Sequence, residues 1–562
     1  MNNENIAANF SLLAKLMDIH GENPFKSKSY ANAAFQIDKL TVPLADLSEN
    51  QIAALKGIGE TTAQKIIEQL STGSLSILDE YLAKTPSGIL DMLRIKGIGP
   101  KKIATIWKEL EIESLGELLY ACNENRLTLY KGFGEKTQQN IKEAIEFFLK
   151  HQGLFLYAEL EQWVIQFEKQ LQNAFPEFQS TVAGEYLRQM EIIHQIDVIT
   201  TVPSEKMKPF LTQLSFTISS QSSSNYIQTS SADGIQVHIQ ITDTNRFQQS
   251  VFRNSASEQF IAYWEKIAGS LDAVDYNSEQ DIFEKAHIHY IPPAQRESIE
   301  IIEIAKKGEL DSVIQPNDIK GIIHCHSNWS DGLHSLEEMA LGAKQQGLEY
   351  LVISDHSRSA FYANGLHPDR ILAQHAAIEK LNQQLVPFTI FKSIESDILN
   401  DGALDYPDEV LNSFDLIIAS VHSNLKMPKE KAMTRLLKAI ENPFTSILGH
   451  LTGRLLLSRA GYPIDHEIII DACIQHQVAI EINAHPRRLD LDWRWIHTAI
   501  GKGALLSINP DAHSIEGFAD IRYGVLVAQK GGLTAANNLS SYSLQEIQQF
   551  IALQKKKRTS TH

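Results

Sequence analysis

From residue 320 onward, histidines and carboxylates follow one short apolar run after another. His324-Cys325-His326 leads to Ser330-Asp331-Gly332, and then come Asp355-His356, Glu395, His422, His450, Glu481 with His485, and Asp511-Ala512-His513. Imidazole mixed with carboxylate suits Mn, Zn or Fe better than an all-oxygen Mg site. One ion takes about three or four protein ligands, so this many donors points to two or three divalent ions. Clustered divalent ions suit hydrolysis of phosphate esters: one lowers the pKa of a bound water, and the others hold phosphoryl oxygens and the leaving group. A single histidine at a strand end is ordinarily a hydrogen-bonded structural residue. A set spread over nearly every strand end is hard to explain that way.

Seven β-rich runs must position these groups: Ile322-Ile323, Tyr350–Ser354, Thr389–Ile394, Leu416–Val421, Ser446–Leu448, Val478–Ile482 and Leu505–Ile508. The stretches between them are long enough for helices, since one strand-plus-helix unit needs about 30 residues. The alternation predicts a parallel βα array, either a barrel or an open sheet. In βα barrels the chemistry sits at the C-terminal strand ends, which is where these residues fall.

His324-x-His326, Asp331-Gly332, Ser354-Asp355-His356, Val421-His422-Ser423 and Asp511-Ala512-His513 together resemble the PHP (polymerase and histidinol phosphatase) domain. That resemblance implies a distorted (β/α)7 barrel at 320–562 holding divalent metal, often manganese or zinc. It also implies nine ligands: His324, His326, Asp331, His356, Glu395, His422, His450, Asp511 and His513. Asp331, His356 and Arg454 are expected to carry the chemistry, Arg454 by binding phosphate. Asp355 and His485 are read as supports for the ligands.

The N-terminal part reads as helical. Ile6, Phe10, Leu13 and Met17 share one helix face. Three Gly-x-Gly turns, Gly57-Ile58-Gly59, Gly97-Ile98-Gly99 and Gly132-Phe133-Gly134, each precede helix-forming residues, with Lys101 beside the second. A helix-hairpin-helix turn of this kind exposes backbone N–H groups at a helix N-terminus, a site for DNA phosphates. The net charge of −17 argues against a protein that coats nucleic acid by bulk electrostatics. Lys555-Lys556-Lys557-Arg558 is read as a solvated tail. Cys122, Cys325 and Cys473 are too few and too scattered for a disulfide framework. The start lacks a secretion signal, and no apolar run approaches the ~20 residues that span a bilayer. A cytoplasmic, nucleoid-associated protein without membrane contact is expected.

Asn23-Pro24-Phe25-Lys26 with Ser29-Tyr30, and later Ile291-Pro292-Pro293 with Arg296-Glu297, resembles family X DNA polymerases, whose bacterial members carry a C-terminal PHP domain. The implied organisation is a helix-hairpin-helix domain at 1–85 and a second, fingers-like one at 86–150. An α+β palm and thumb-like region follows at 151–300, with a loop at Ser219–Ser231, then a linker at 301–319 and the barrel. Lys65 matches a lysine that in relatives forms a Schiff base with an abasic sugar. The polymerase site departs from the pattern. Nucleotidyl transfer needs three carboxylates around two metals, yet the Asp-x-Asp pair reads Gln195-Ile196-Asp197 and the third acid is His238. Glu185 replaces the serine of the Gly-Ser that helps hold the triphosphate, and Arg253-Asn254-Ser255 occupies the later nucleotide-pocket region. The expected function is therefore a manganese-dependent 3′→5′ exonuclease, with 3′-phosphatase or abasic-site endonuclease as variants, acting in base-excision repair on gapped or 3′-ended duplex DNA beside a silent palm. The alternatives are an active gap-filling polymerase that edits with its PHP domain, a small-molecule phosphatase of the histidinol-phosphatase type, and a DNA-binding scaffold with a structural metal cluster.

Overall fold

The computed structural model describes residues 2–123, 127, 130–150, 153–457 and 460–559. The chain packs as two units, Met1–Gln152 and Gly153–His562. Among the described residues no helix is long and apolar enough to cross a membrane.

The first unit is helical. Helix Asn3–His20 lies against helix Pro24–Asp38, and Ile6, Phe10, Leu13 and Met17 of the expected face are fully buried. The Asn-Pro-Phe sequence acts locally: the Asn23 side chain accepts from the Phe25 N–H at 2.9 Å and Pro24 opens the helix, where its missing N–H costs nothing. The three Gly-x-Gly turns are built alike. Gly57, Gly97 and Gly132 have φ of 82°, 91° and 94°, a region open to glycine at little cost. The middle residues Ile58, Ile98 and Phe133 plug into the core. Gly59 and Gly99 cap helices Glu60–Thr72 and Pro100–Lys108, and Gly134 directly precedes helix Glu135–Lys150.

The second unit begins with an α+β region. Its five-stranded sheet runs in the order Ser180–Ala183, Ile196–Thr200, Gln236–Ile241, Tyr226–Ser230, Thr217–Ile218. Ile196–Thr200 and Gln236–Ile241 are parallel, and the other pairs are antiparallel. The Ser-rich stretch expected as a loop thus contains a strand, in which Ile227 and Thr229 turn inward while serines cap the ends. A helical cluster follows around Phe252, Phe260, Trp264 and Phe283. Arg296 pins it: the fully buried guanidinium reaches Glu279 at 2.7 Å and lies over the rings of Phe252 and Phe283. The segment expected as a linker is also structured. Helix Glu300–Lys307 buries Ile302 and Ala305, and the Ile314 N–H donates to Leu533 O at 2.8 Å.

Among the described residues, the rest forms a seven-stranded parallel sheet: Gly321–Cys325, Tyr350–Ile353, Thr389–Asp397, Leu416–Ser420, Ile447–Leu448, Ala479–Asn483 and Leu506–Asn509, each beside the next. First and last strands meet through a parallel bridge between Cys325 and Ala512, with His326 N–H donating to Ala512 O at 2.8 Å. This is the expected seven-stranded βα barrel. The basic run near the end is not a solvated tail. It belongs to helix Leu544–Thr559, where Arg558 is buried and donates to Phe414 O at 2.8 Å, while Lys557 donates to Thr445 O at 2.7 Å.

Candidate metal centre

The sixth barrel strand, Ala479–Asn483, supplies Glu481 behind the donors, and the other six of the seven deliver donors at or just past their C-terminal ends. The first strand does so through an irregularity between Ile323 and Cys325, with His324 at φ 64°. Such a bulge re-aims a side chain at a strand end, and both His324 and His326 end up fully buried in the barrel mouth. Asp511, after the last strand, also has positive φ, at 53°. Strained backbone at ligand positions persists only where the surroundings hold it. Gly332 follows Asp331 because a Cβ there would come within 2.5 Å of His326 O.

Three groups of donors converge, each with its ligand atoms within 4.8 Å of one another: His326, Asp331, His356 and His513; His324, His326 and Asp511; His356, Glu395 and His422. Glu395 joins them. Its Oε1 lies 3.3 Å from His324 Nε2 and 3.1 Å from Nε2 of both His422 and His450. Its Oε2 lies 2.9 Å from His356 Nδ1. All nine expected ligands are therefore in one cluster.

The electrostatics of this cluster call for positive charge. Burial alone would push the His324 imidazolium down, but Glu481, Asp511 and Glu395 outweigh it and raise its pKa well above the ordinary value. Burial likewise opposes the shifts at His356, raised to about 10 mainly by Glu395, and at His422, raised to about 9 mainly by Glu395 and Asp397. His326, whose carboxylate neighbours lie at 3.1–3.9 Å, is driven by burial and by His513 and His356 down to about 3. Nε2 of His324, Nδ1 of His326 and Oε2 of Glu395 are buried and make no hydrogen bond. Buried polar atoms are normally paired, so lone pairs aimed at shared centres fit divalent cations.

Two carboxylates orient ligands from behind. The fully buried Glu481 holds His324 Nδ1 at 2.6 Å and also accepts from His450 N (3.0 Å), Asn483 Nδ2 (2.9 Å) and Asn509 Nδ2 (2.8 Å). Asp397 accepts a short hydrogen bond from His422 Nδ1. Fixing one ring nitrogen as N–H leaves the other bare for metal. Asp355 is a support, as expected: it takes hydrogen bonds from Ser327, Ser330 and Gln374. His485 belongs to none of the three donor groups and accepts from the Arg487 N–H at 3.2 Å.

Arg454, expected to bind phosphate, is engaged within the chain. Its guanidinium pairs with Asp492 and donates to the carbonyls of Arg488 (2.9 Å) and Leu489. Among the described residues the arginine that reaches the cluster is Arg488, with Nε 3.6 Å from Asp511 Oδ2 and its side chain 20% exposed. Sequence reading missed Arg488 and Asp397. Asp397 was within reach, since Glu395 and Asp397 share a strand face by simple alternation.

The remaining expected residues lie elsewhere. Lys65 is ion-paired with Glu68 at 2.6 Å, a bond that holds the Glu68 carboxyl down at about 2. Gly57, Gly59, Gly97, Gly99, Gly132 and Gly134 are exposed, as is Lys101. In the five-stranded sheet Asp197 and His238 are register neighbours. Gln195 donates to Asp197 at 2.7 Å, His238 pairs with the Tyr226 hydroxyl at 2.9 Å, and Glu185 accepts from His194.

A helix-hairpin-helix domain family matches residues 1–75, and a SAM-like helix-hairpin-helix tandem family matches 89–146. The DNA polymerase/3′-5′ exonuclease PolX of Bacillus subtilis is 31% identical over 577 aligned residues, covering 98% of this chain and 99% of that one. A probable phosphatase of Vibrio campbellii is 26% identical over 258 residues, 43% of this chain and 95% of its own length. A probable phosphatase of Caldicellulosiruptor saccharolyticus is 31% identical over 28% of this chain and 64% of its own. With helix-hairpin-helix turns at one end, a donor-lined seven-stranded barrel at the other and a relative matched across nearly its full length, this chain belongs to the bacterial family X DNA polymerases that carry a PHP domain.

Proposed function

We propose that the chain is a DNA-repair phosphoesterase: a manganese-dependent 3′→5′ exonuclease on gapped or 3′-ended duplex DNA, whose palm does not polymerise. The observation that carries this reading is the contrast between its two sites. The barrel keeps all nine donors in one cluster. In the sheet, the Asp197 carboxyl is pushed up to about 6, first by burial, and is tied to Gln195. His238 and the Glu185–His194 pair stand where the resemblance calls for an acid and a triphosphate contact.

Metal bound by the nine donors supplies Lewis-acid activation of water and of the phosphoryl group. The chain's own residues set the approach. Glu395, His324, His326 and His450 are sealed, whereas the side chains of Asp331 and His513 are 33% and 42% exposed. The phosphodiester therefore enters over Asp331 and His513. Arg488, at the same rim, offers a cationic contact for a phosphate oxygen.

Phe361 favours a polynucleotide over a small monoester. It is 85% exposed at the tip of a loop that leaves the barrel after His356. The Leu366 N–H returns to His356 O at 2.9 Å, and Ser359 Oγ donates to Asp397 at 2.6 Å, so the loop is held firmly beside the cluster. An exposed aromatic ring there can stack a base, worth ~1–3 kcal/mol. The three Gly-x-Gly turns of the first unit supply the backbone N–H groups for duplex phosphates. The test compares Phe361→Ala with wild type on a 3′-ended duplex and on p-nitrophenyl phosphate. The reading expects KM for DNA to rise about tenfold with the monoester unaffected. Preference for the monoester, with DNA untouched by either protein, would overturn it.

A further inference from the structure

The segment after Gly184-Glu185 has lost its resemblance to a triphosphate cradle, yet it is not idle. It carries two charges, one half-buried and one buried, against the barrel. Arg188 pairs with Glu297 at 3.0 Å, and Glu297 in turn accepts from the fully buried Lys530 of the barrel at 2.6 Å. Glu191, 6% exposed, accepts from Trp493 Nε1 at 2.9 Å and from Arg494 Nη1 at 3.1 Å. Arg494 also holds both oxygens of Asp492, at 2.9 and 3.0 Å. Asp492 takes the Nη1 of Arg454, whose other nitrogens grip the carbonyls of Arg488 and Leu489. The chain of contacts ends at the Arg488 side chain beside Asp511.

We infer that Glu191 is a positioning residue for the nuclease: through Arg494, Asp492 and Arg454 it fixes the loop that presents Arg488 to the substrate phosphate. The palm-like region is thus a working part of the phosphoesterase. This rests on the exonuclease reading above for its substrate, and on the contacts alone for its geometry. Arg488 N–H and Leu489 N–H both fold back to His485 O, at 2.7 and 3.2 Å. The flanking residues are held elsewhere, Arg487 O by the Leu456 N–H at 2.6 Å and Asp490 by Thr452 at 2.8 and 2.9 Å, while the carbonyls of Arg488 and Leu489 themselves are gripped by Arg454. A guanidinium displaced by about 1 Å from a reacting phosphate can cost as much as a hundredfold in rate, and Glu191 is linked to the residue that carries it by three ionic contacts and one hydrogen bond to its backbone carbonyl.

The experiment is a double-mutant cycle on the full-length, manganese-loaded chain with a 5′-labelled 3′-ended duplex, using E191Q, R488A and E191Q/R488A. Glutamine keeps the size of the side chain and one acceptor but removes the charge that holds Arg494. The inference expects E191Q to lower kcat/KM about tenfold, R488A about a hundredfold, and the double variant to match R488A alone, because both act through one guanidinium. Melting temperature and bound manganese should stay those of wild type. Amide hydrogen exchange at Arg488 and Leu489 should quicken in E191Q. Additive losses, or an E191Q rate equal to wild type, would overturn it. Should E191Q fold poorly, R494Q breaks the same path from the barrel side and is held to the same comparison. If wild type does not cut DNA, the exonuclease reading falls, while exchange at Arg488 and Leu489 still decides whether Glu191 holds the loop.

Discussion

Glu481 touches no expected substrate path and binds no metal in our assignment, yet Glu481→Gln should cripple the centre. The carboxylate has two oxygens and four donors around it: His324 Nδ1 and Asn509 Nδ2 on Oε2, His450 N and Asn483 Nδ2 on Oε1. An amide has one oxygen, so its NH2 must face one of these pairs. Against His450 N and Asn483, it strands two buried donors at ~1–3 kcal/mol each. Turned the other way, it donates to His324 Nδ1, which forces the proton onto Nε2, the nitrogen 3.3 Å from Glu395 and 3.4 Å from Asp511. A protonated Nε2 cannot ligate. Loss of such an orienting partner typically costs 10–100-fold in metal affinity or activity, or about 1.4–2.7 kcal/mol. The assay titrates manganese into metal-free wild type and E481Q, reading bound metal and exonuclease rate together. E481Q should need 10–100 times more manganese for half-maximal rate and recover part of the rate at excess. Wild-type affinity and rate in a folded E481Q would refute the reasoning.

Three further outcomes follow from the same structure. The Asp197 carboxyl has a folded-state pKa of about 6, raised first by burial, so ionising it costs folded-state stability as pH climbs past the unfolded value near 4. Asp197→Asn should stabilise the second unit against urea by up to about 3 kcal/mol at pH 8 and by roughly 1 kcal/mol less at pH 5; a gain independent of pH would contradict this. Arg558→Ala removes donors from the carbonyls of Phe414 and Asp415 and a stacked cation from Phe444, and should cost about 2–3 kcal/mol in urea unfolding, against about 0.5 kcal/mol or less for the exposed Lys555–Asp415 pair broken by Lys555→Ala. Lys101→Ala should weaken duplex binding equally on unrelated sequences and reduce the salt slope by about one phosphate contact; an unchanged slope would remove Lys101 from the DNA interface.

The barrel and the clustering of its donors were legible because the donors stand on or just after successive β-runs, a local pattern that the parallel fold turns into convergence. His324, Glu395 and Asp511 sit far apart in sequence but at equivalent strand ends. The misreadings share one cause: burial decided by distant partners. Arg558 looked like a charged tail, but its helix packs where Phe414 and Asp415 present carbonyls. Residues 301–319 looked like a linker because nothing local shows that Ile314 docks on Leu533. Arg454 stands close to His450 in sequence and points to Asp492, while Arg488, which stands beside none of the nine expected ligands in sequence, reaches Asp511. The Glu191–Arg494 contact joins residues some 300 positions apart and has no sequence signature.

The central claim, a cutting barrel beside a silent palm, is tested most directly on a 5′-labelled gapped DNA with manganese and all four deoxynucleotides, comparing wild type with Asp331→Ala. Wild type should shorten the labelled strand, Asp331→Ala should leave it intact, and neither should lengthen it. Lengthening by either protein would show that Asp197 and His238 still serve nucleotidyl transfer, and an unshortened strand with wild type would contradict the nuclease.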